Sequence, residues 1–74
     1  MSLQEEIFWN IIRLNIRYYR NKRKLTQEDL AIKCNLSYDY INEIESLTKN
    51  KTFSLSTLFI IANVLEIDIR ELFS

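Results

Sequence analysis

The fold is decided by residues 25–45, which read LTQEDLAIKCNLSYDYINEIE. An apolar residue and a capping residue, followed by an apolar residue five positions after the first, occur twice: Leu25-Thr26 with Leu30, and Leu36-Ser37 with Ile41. A Thr or Ser side chain at the N-cap accepts a hydrogen bond from a free backbone N–H, and the apolar pair packs across the first turn. The two starts are about eleven residues apart, which leaves room for two turns and a corner. The segment therefore predicts two short helices joined by a tight turn.

The remaining helices follow from the same capping pattern and from helical periodicity. The pattern recurs at Phe53-Ser54 with Leu58 and at Ile67-Asp68 with Leu72, where Glu71 would complete a capping box. Upstream, two apolar stripes at helical spacing are Phe8, Ile12, Ile16, Tyr19 and Ile7, Ile11, Leu14, Tyr18. The other side of this helix carries Arg13, Arg17, Arg20 and Lys24. We predict an all-α fold of five helices near residues 4–22, 27–34, 38–46, 55–65 and 69–73.

Length and composition predict one small globular domain. The chain has 74 residues, of which 47% are hydrophobic and 27% charged. This balance is ordinary for a folded domain and argues against disorder. The apolar runs are far shorter than the roughly 20 residues needed to span a bilayer, and the acidic beginning does not resemble a secretion signal. A single cysteine agrees with a reducing compartment, so we expect a cytoplasmic location.

Missing residue types narrow the function classes. The chain has no glycine and no histidine, so it lacks glycine-rich phosphate loops and the commonest metal ligand and general base. We expect no catalysis, no metal and no cofactor. The net charge is zero, but residues 13–24 contain six basic residues and no acidic one. A local basic region of this kind suits nucleic-acid phosphates.

Turns in a chain without glycine must place other residues in the left-handed region. Asn35 lies at the corner between the two short helices and tolerates this conformation best. Lys24 and Glu66, at the ends of the first and fourth helices, are costlier choices, by about 1 kcal/mol.

These elements resemble the Cro/C1-type (XRE) helix-turn-helix family of bacterial and phage regulators. The resemblance covers about residues 15–73 and depends on five segments: IRYYR at 16–20, LTQEDLA at 25–31, LS at 36–37, INEIE at 41–45 and SLSTL at 54–58, running into Ala62 and Leu65. It implies a compact lambda-repressor-like domain that binds double-stranded DNA. The small size also resembles the controller proteins of restriction-modification systems.

The family places its third helix in the major groove of DNA, with the residues after its N-cap toward the bases. Transferred by position, the base-contacting residues would be Tyr38, Asp39, Asn42 and Glu43. Asn can pair with adenine, and acids can accept from cytosine. Asp39 has an alternative role, because an acid in the first turn stabilises the helix dipole. Two acids on this face also repel phosphates and would act mainly by excluding wrong sequences.

A second set of residues is expected at the DNA backbone. Family members bind a phosphate through the residue that follows the N-cap of the second helix, which is Gln27 here. After the third helix, Thr48, Lys49, Asn50 and Lys51 form a polar loop suited to phosphates. Tyr40 could donate its hydroxyl to a phosphate or cover the core with its ring. Plain solvent exposure is the alternative for Gln27 and for the loop.

Two further residues are interpreted as structural. Glu45 lies near a helix C-terminus, where an acid opposes the dipole and needs a compensating partner. The family resemblance supplies Arg20, and we interpret Arg20 and Glu45 as an ion pair that joins the first helix to the third. Cys34 is interpreted as a core residue, because no basic group is placed to lower its pKa.

Self-association is also expected. One short helix reads few bases, so small regulators of this type usually pair on a palindrome. Residues Ile60, Ile61, Val64, Ile67, Ile69 and Phe73 carry more apolar surface than one small core absorbs. We predict a homodimer through the fourth and fifth helices, with help from the first. Trp9 and the second stripe would pack on the last helix or on another subunit.

The leading hypothesis is a sequence-specific, dimeric DNA-binding transcriptional regulator, either a repressor or a controller, on a palindromic operator. The alternative is a helical protein-interaction module, such as an antitoxin or an accessory regulatory subunit. Neutral charge and the acidic third helix favour the alternative. DNA binding is favoured by Gln27, by the basic region of residues 13–24 and by the two lysines of the loop after the third helix.

Overall fold

The computed structural model describes residues 2–74. It has four α-helices, α1 (Leu3–Lys22), α2 (Gln27–Cys34), α3 (Tyr38–Glu45) and α4 (Leu55–Leu65), followed by a 3-10 helix at Ile69–Leu72. No strand occurs within residues 2–74. The predicted all-α class is confirmed, and the fifth helix is a single tight turn of the 3-10 type rather than an α-helix.

Each helix begins at a side-chain cap. The hydroxyls of Ser2, Thr26, Ser37 and Ser54 each accept the backbone N–H three residues later. The Asp29 carboxylate in turn accepts the backbone N–H of Thr26, which completes a capping box. These hydrogen bonds hold the pKa of the Asp29 carboxyl below its usual value. The capping box predicted at Asp68 and Glu71 is wrong. The Asp68 carboxylate accepts from the backbone and guanidinium of Arg70 instead, which lowers the pKa of Asp68 to about 2.

Three helix ends share one backbone motif, which we call the corner. A corner consists of a left-handed residue, an apolar residue and the N-cap of the next helix; the three are Lys24-Leu25-Thr26, Asn35-Leu36-Ser37 and Glu66-Ile67-Asp68. The left-handed residues have φ values of 59°, 56° and 57°. In each corner the apolar residue donates its N–H to the carbonyl five residues earlier, at 2.9 to 3.1 Å, as in a Schellman motif. The same apolar residue precedes the next N-cap, so one residue joins two helix ends.

Replacing the left-handed Lys24 by glycine should stabilise the protein. Glycine adopts φ near 59° without the steric cost of a Cβ atom, so the free energy of unfolding should rise by about 1 kcal/mol. Glu66→Gly should gain less, because Glu66 also pairs with the exposed Arg23. Thermal unfolding measures both changes, with Lys24→Ala as a control that keeps the Cβ atom. A lower midpoint for Lys24→Gly than for Lys24→Ala would contradict the strain at this corner.

The core lies where the helices meet. Its buried residues come from every helix: Ile12, Ile16, Leu30, Ala31, Cys34, Ile41, Ile44, Leu58, Ile61, Ala62, Leu65 and Leu72. Cys34 is part of this cluster, and burial raises the pKa of its thiol to about 11. A thiol with such a pKa stays protonated and unreactive at neutral pH.

The first helix differs from the sequence interpretation at Arg13. This residue, grouped with the other basic residues on one side of the helix, is turned inward and is only 1% exposed. Ile7, Ile11, Leu14 and Tyr18, the second apolar stripe, are exposed, so they do not pack on the last helix, which was one of the two expected partners. Trp9 is partly buried and its ring lies 5.0 Å from that of Phe53. The rings of Phe8 and Phe73 stack at 5.8 Å and tie the two ends of the chain together.

Candidate nucleic-acid interface

The α2–α3 pair forms the framework of the candidate site. Asn35, at φ 56°, ends α2, and Ser37 caps α3 two residues later. Leu30 of α2 and Ile41 and Ile44 of α3 are fully buried, so the two helices are fixed against each other by apolar contacts. The opposite side of α3 faces outward, as a recognition helix requires.

A chain of polar contacts fixes α3 relative to α1 and α2. Arg20 donates from Nε and Nη2 to the two carboxylate oxygens of Glu45, at 2.7 and 2.9 Å. This two-point pair, predicted from the resemblance, is present and buried, with Glu45 only 1% exposed. The Gln27 amide donates to Glu45 at 3.2 Å, and Asn42 donates to the Gln27 carbonyl oxygen at 3.0 Å. Four side chains from three helices are therefore linked from core to surface.

The four predicted base-contacting residues lie together on what we call the outward face of α3. Tyr38 and Asp39 are exposed, and Asn42 and Glu43 are half-buried. Asn42 has its amide nitrogen engaged by Gln27, which fixes the direction of the group. In such an arrangement the Asn42 carbonyl oxygen and the second amide hydrogen remain for a base edge. Preorganised side chains lose less entropy on binding.

The residues predicted at the DNA backbone divide into two groups. Gln27 borders the outward face and is bonded to Glu45 and Asn42. The loop from α3 to α4 carries the others, with Thr48 and Lys49 exposed and Asn50 left-handed at φ 51°. Tyr40 is half-buried against the core, and the Lys51 ammonium lies 5.5 Å from the centre of its ring.

Lys51 and Glu43 connect the loop to the outward face of α3. The Lys51 ammonium lies 3.9 Å from a Glu43 carboxylate oxygen, and both side chains are partly exposed. Such a pair contributes little to stability, but it places a positive charge beside an acid on the same surface. A phosphate near Lys51 would meet less repulsion from Glu43 than the acid alone would exert.

Arg13 holds the loop in place and was missed as a site-forming residue by sequence reasoning. Its Nε donates to the Ser46 carbonyl oxygen at 3.2 Å, and its Nη2 donates to the Lys51 carbonyl oxygen. Its guanidinium carbon lies 5.9 Å from the centre of the Trp9 ring. Burial lowers the pKa of this guanidinium, which faces backbone carbonyls rather than a carboxylate. One buried side chain thus connects both ends of the segment from 46 to 51.

Arg17 is a second residue that sequence reasoning left out of the site. Its guanidinium donates to the Glu45 carbonyl oxygen at 3.2 Å, and nearly half of its side chain is exposed. It borders a shallow groove between α1, α2 and the loop, lined by Arg17, Gln27, Asn42, Glu45, Ser46, Leu47 and Thr48. The signal in the sequence was its place in the basic region of residues 13–24. This positive group at the edge of the outward face is suited to a phosphate.

The predicted dimer residues do not all reach the surface. Ile60 is exposed, and Val64, Ile67, Ile69 and Phe73 are partly buried against the core. Ile61 is 0% exposed, so its assignment to a dimer interface is wrong. Successive residues of a helix point about 100° apart, so Ile61 packs into the core while its neighbour Ile60 points away from it.

Across residues 2–74 no three of the cysteine and acidic residues lie close enough to hold a metal ion. Within the same residues, no helix combines the length and the apolar character required to cross a bilayer.

Comparisons with known proteins agree with this geometry. The family model described as helix-turn-helix matches residues 16–72. The chain is 40% identical over 62 residues to control protein C.SmaI of Serratia marcescens, a match that covers 84% of this chain and 71% of that protein.

Two solved structures have the same fold. The restriction-modification controller protein C.AhdI of Aeromonas hydrophila matches with a TM-score of 0.79 and 29% identity, covering 88% of this chain and 96% of that one. The hypothetical transcription factor NHTF from Neisseria matches with a TM-score of 0.83 and 25% identity, covering 90% and 75%. With its capped α2–α3 pair and outward-facing α3, the chain belongs to the helix-turn-helix family.

Proposed function

We propose that this protein is a sequence-specific, double-stranded DNA-binding transcriptional regulator that acts by occupying an operator. The observation that carries the proposal is the link from buried Glu45 through Gln27 to Asn42, which orients a polar side chain on the outward face of α3. In this proposal Tyr38, Asp39, Asn42 and Glu43 contact base edges. Family membership and the two relatives named as controllers support the same reading.

The DNA backbone would be contacted from both sides of α3. Gln27 and the loop residues Thr48, Lys49, Asn50 and Lys51 supply donors and positive charge, and Tyr40 can add its hydroxyl. Arg17 joins this set because its guanidinium lies at the edge of the same groove. Phosphate contacts of this kind position the reading helix, and the base contacts supply specificity.

We further propose that the protein binds as a homodimer to a palindromic operator. Ile60, Val64, Ile67, Ile69 and Phe73 would form the dimer surface. A two-fold pair would place two α3 helices in successive major grooves, about 34 Å apart. The relatives C.SmaI and C.AhdI extend the proposal to control of a restriction-modification system.

The direct test is selection from a random duplex library with the purified protein. We expect recovery of two inverted half-sites with centres about one helical turn, or 10 base pairs, apart. Binding to the selected duplex should weaken by about 10³-fold or more between 50 and 200 mM salt if six or more phosphates are contacted. Asn42→Ala should relax the preference at one base position, whereas Lys49→Ala should weaken binding to all sequences and reduce the salt slope by about one unit.

A failed selection would contradict the proposal. If the folded protein enriches no duplex at low salt, the protein-interaction module is favoured instead. The observation that favours this alternative is the pair of acids, Asp39 and Glu43, on the outward face of α3, since they repel phosphates. Affinity that is independent of salt would point the same way.

A further inference from the structure

We propose that Leu47 determines part of the operator sequence by packing against the C5-methyl group of a thymine. The inference rests on the DNA-binding function proposed above and adds one specificity-determining residue to it. Leu47 lies in the loop that follows α3, and it is 44% exposed. Within residues 2–74, it is the one apolar side chain among those that line the shallow groove beside Asn42.

Local hydrogen bonds fix the backbone on both sides of Leu47. The Ser46 hydroxyl accepts the Thr48 N–H at 3.3 Å and shares a hydrogen bond of 3.1 Å with the Thr48 hydroxyl. Serine and threonine side chains stabilise turns in this way, and Leu47 is at the centre of the turn. The buried Arg13 also holds the Ser46 carbonyl oxygen, at 3.2 Å. The loop therefore holds Leu47 in a defined position and loses little freedom when DNA binds.

The groove, rather than the core, contains the neighbours of Leu47. Within residues 2–74, the leucines of two corners, Leu25 and Leu36, pack against the core, whereas Leu47 does not. Leu47 instead lines the groove together with Gln27 and Asn42. Single exposed leucines are common on protein surfaces, so exposure alone gives Leu47 no role. In the proposed complex, however, Asn42 contacts a base edge, and Leu47 lies in the same groove beside the neighbouring base pairs.

Thymine offers the one chemical feature that a leucine can distinguish in the major groove. The C5-methyl group of thymine is the only apolar group on the major-groove edges of the four bases, and leucine has no hydrogen-bonding side-chain group. A deoxyribose is also apolar in part, but every nucleotide carries one, so contact with it would give no base preference.

The residues of α3 favour A·T pairs as the neighbours of Leu47. The helix contains no arginine or lysine, so it lacks the commonest contact to guanine. The amide of Asn42, oriented by Gln27, is suited to adenine. Each adenine that is read in this way has a paired thymine, whose methyl group stands in the same major groove.

Replacement of single thymines by deoxyuridine tests the contact, because it removes the methyl group and keeps every hydrogen-bonding group of the base. The probe is the duplex that the wild-type protein enriches from the random library, with one thymine replaced at a time. At one thymine of a half-site, deoxyuridine should weaken binding about fourfold, the factor expected for one methyl group left in water. Leu47→Ala should bind the original duplex at least about fourfold more weakly, with no further loss when deoxyuridine stands at that position.

Leu14→Ala is the matched control. It removes a leucine of similar exposure, 47%, from α1 at a position outside the groove. This variant should keep the full fourfold response to deoxyuridine. Both substituted leucines are exposed, so the helical circular-dichroism spectrum should be unchanged in each variant.

The contrary outcomes are distinct. Salt-dependent binding that no deoxyuridine weakens would reject the thymine contact and leave the proposed function intact. A Leu47→Ala variant that binds more weakly but keeps the response to deoxyuridine would place Leu47 against a deoxyribose and overturn the inference. If the protein enriches no duplex, the proposed function fails and the inference fails with it.

Discussion

Replacing Glu45 by alanine is expected to lower the free energy of unfolding by about 3–5 kcal/mol, the cost of leaving a buried charge without its partner. Arg20 would lose both carboxylate contacts, at 2.7 and 2.9 Å, while its guanidinium stays largely buried. Small domains have about 0.05–0.15 kcal/mol of stability per residue, so this change removes much of the total for a chain of this size. Urea unfolding measures the loss. Glu43→Ala, which removes a partly exposed acid from the same helix, should cost less than about 1 kcal/mol.

A double-mutant cycle separates the ion pair from the packing of its side chains. Arg20→Met with Glu45→Met should be more stable than the sum of the two single changes implies, since the double variant leaves neither charge unpaired. Gln27 would lose one of its two partners in every variant that lacks Glu45. Additive effects of the two single variants would show that the buried pair does not couple α1 to α3.

Replacing Arg13 by alanine should be the second most damaging change, with a loss of about 3 kcal/mol or more. Hydrogen bonds from a charged donor contribute about 1.5–3 kcal/mol each, and two are lost at the carbonyls of Ser46 and Lys51. Truncation also leaves a cavity beside Trp9. The measurements are thermal unfolding and amide hydrogen exchange over residues 46–51.

A lysine at position 13 is the matched control for charge. It keeps the positive charge, but one ammonium cannot reproduce the fixed fork that reaches both carbonyls. We expect Arg13→Lys to remain folded while exchange of the 46–51 amides accelerates and DNA affinity falls. Unchanged exchange and affinity in Arg13→Lys would mean that charge alone, rather than the two-point contact, supports the loop.

Helix bounds and caps could be predicted from the sequence because they depend on local chemistry. Ser or Thr at the N-cap, an apolar residue before it and a second one five positions later fix a helix start without reference to the rest of the fold. The left-handed residues Lys24, Asn35 and Glu66 followed from the same patterns, since each precedes an apolar residue and a cap. The 3-10 form of the last helix did not follow, because a cap fixes where a helix starts and not its hydrogen-bond pattern.

Burial and contacts between helices could not be predicted in the same way. Periodicity groups Arg13 with the other basic residues of α1, but the carbonyls that it binds belong to a loop more than thirty residues away. Likewise, adjacent residues Ile60 and Ile61 are equally apolar, and only the packing of α4 decides which of them is enclosed. The Asn42–Gln27 contact joins two helices, so it depends on how α2 and α3 cross.

The three corners also determine where the chain can change its length. Leu25, Leu36 and Ile67 each close one helix and precede the cap of the next, so an inserted or deleted residue there would misalign two helices together. Residues 47–50 neither close a helix nor precede an N-cap, and they are exposed. We therefore expect insertions in this segment to be tolerated and insertions at the corners to unfold the protein. Variation in length would then be confined to the surface proposed to contact DNA.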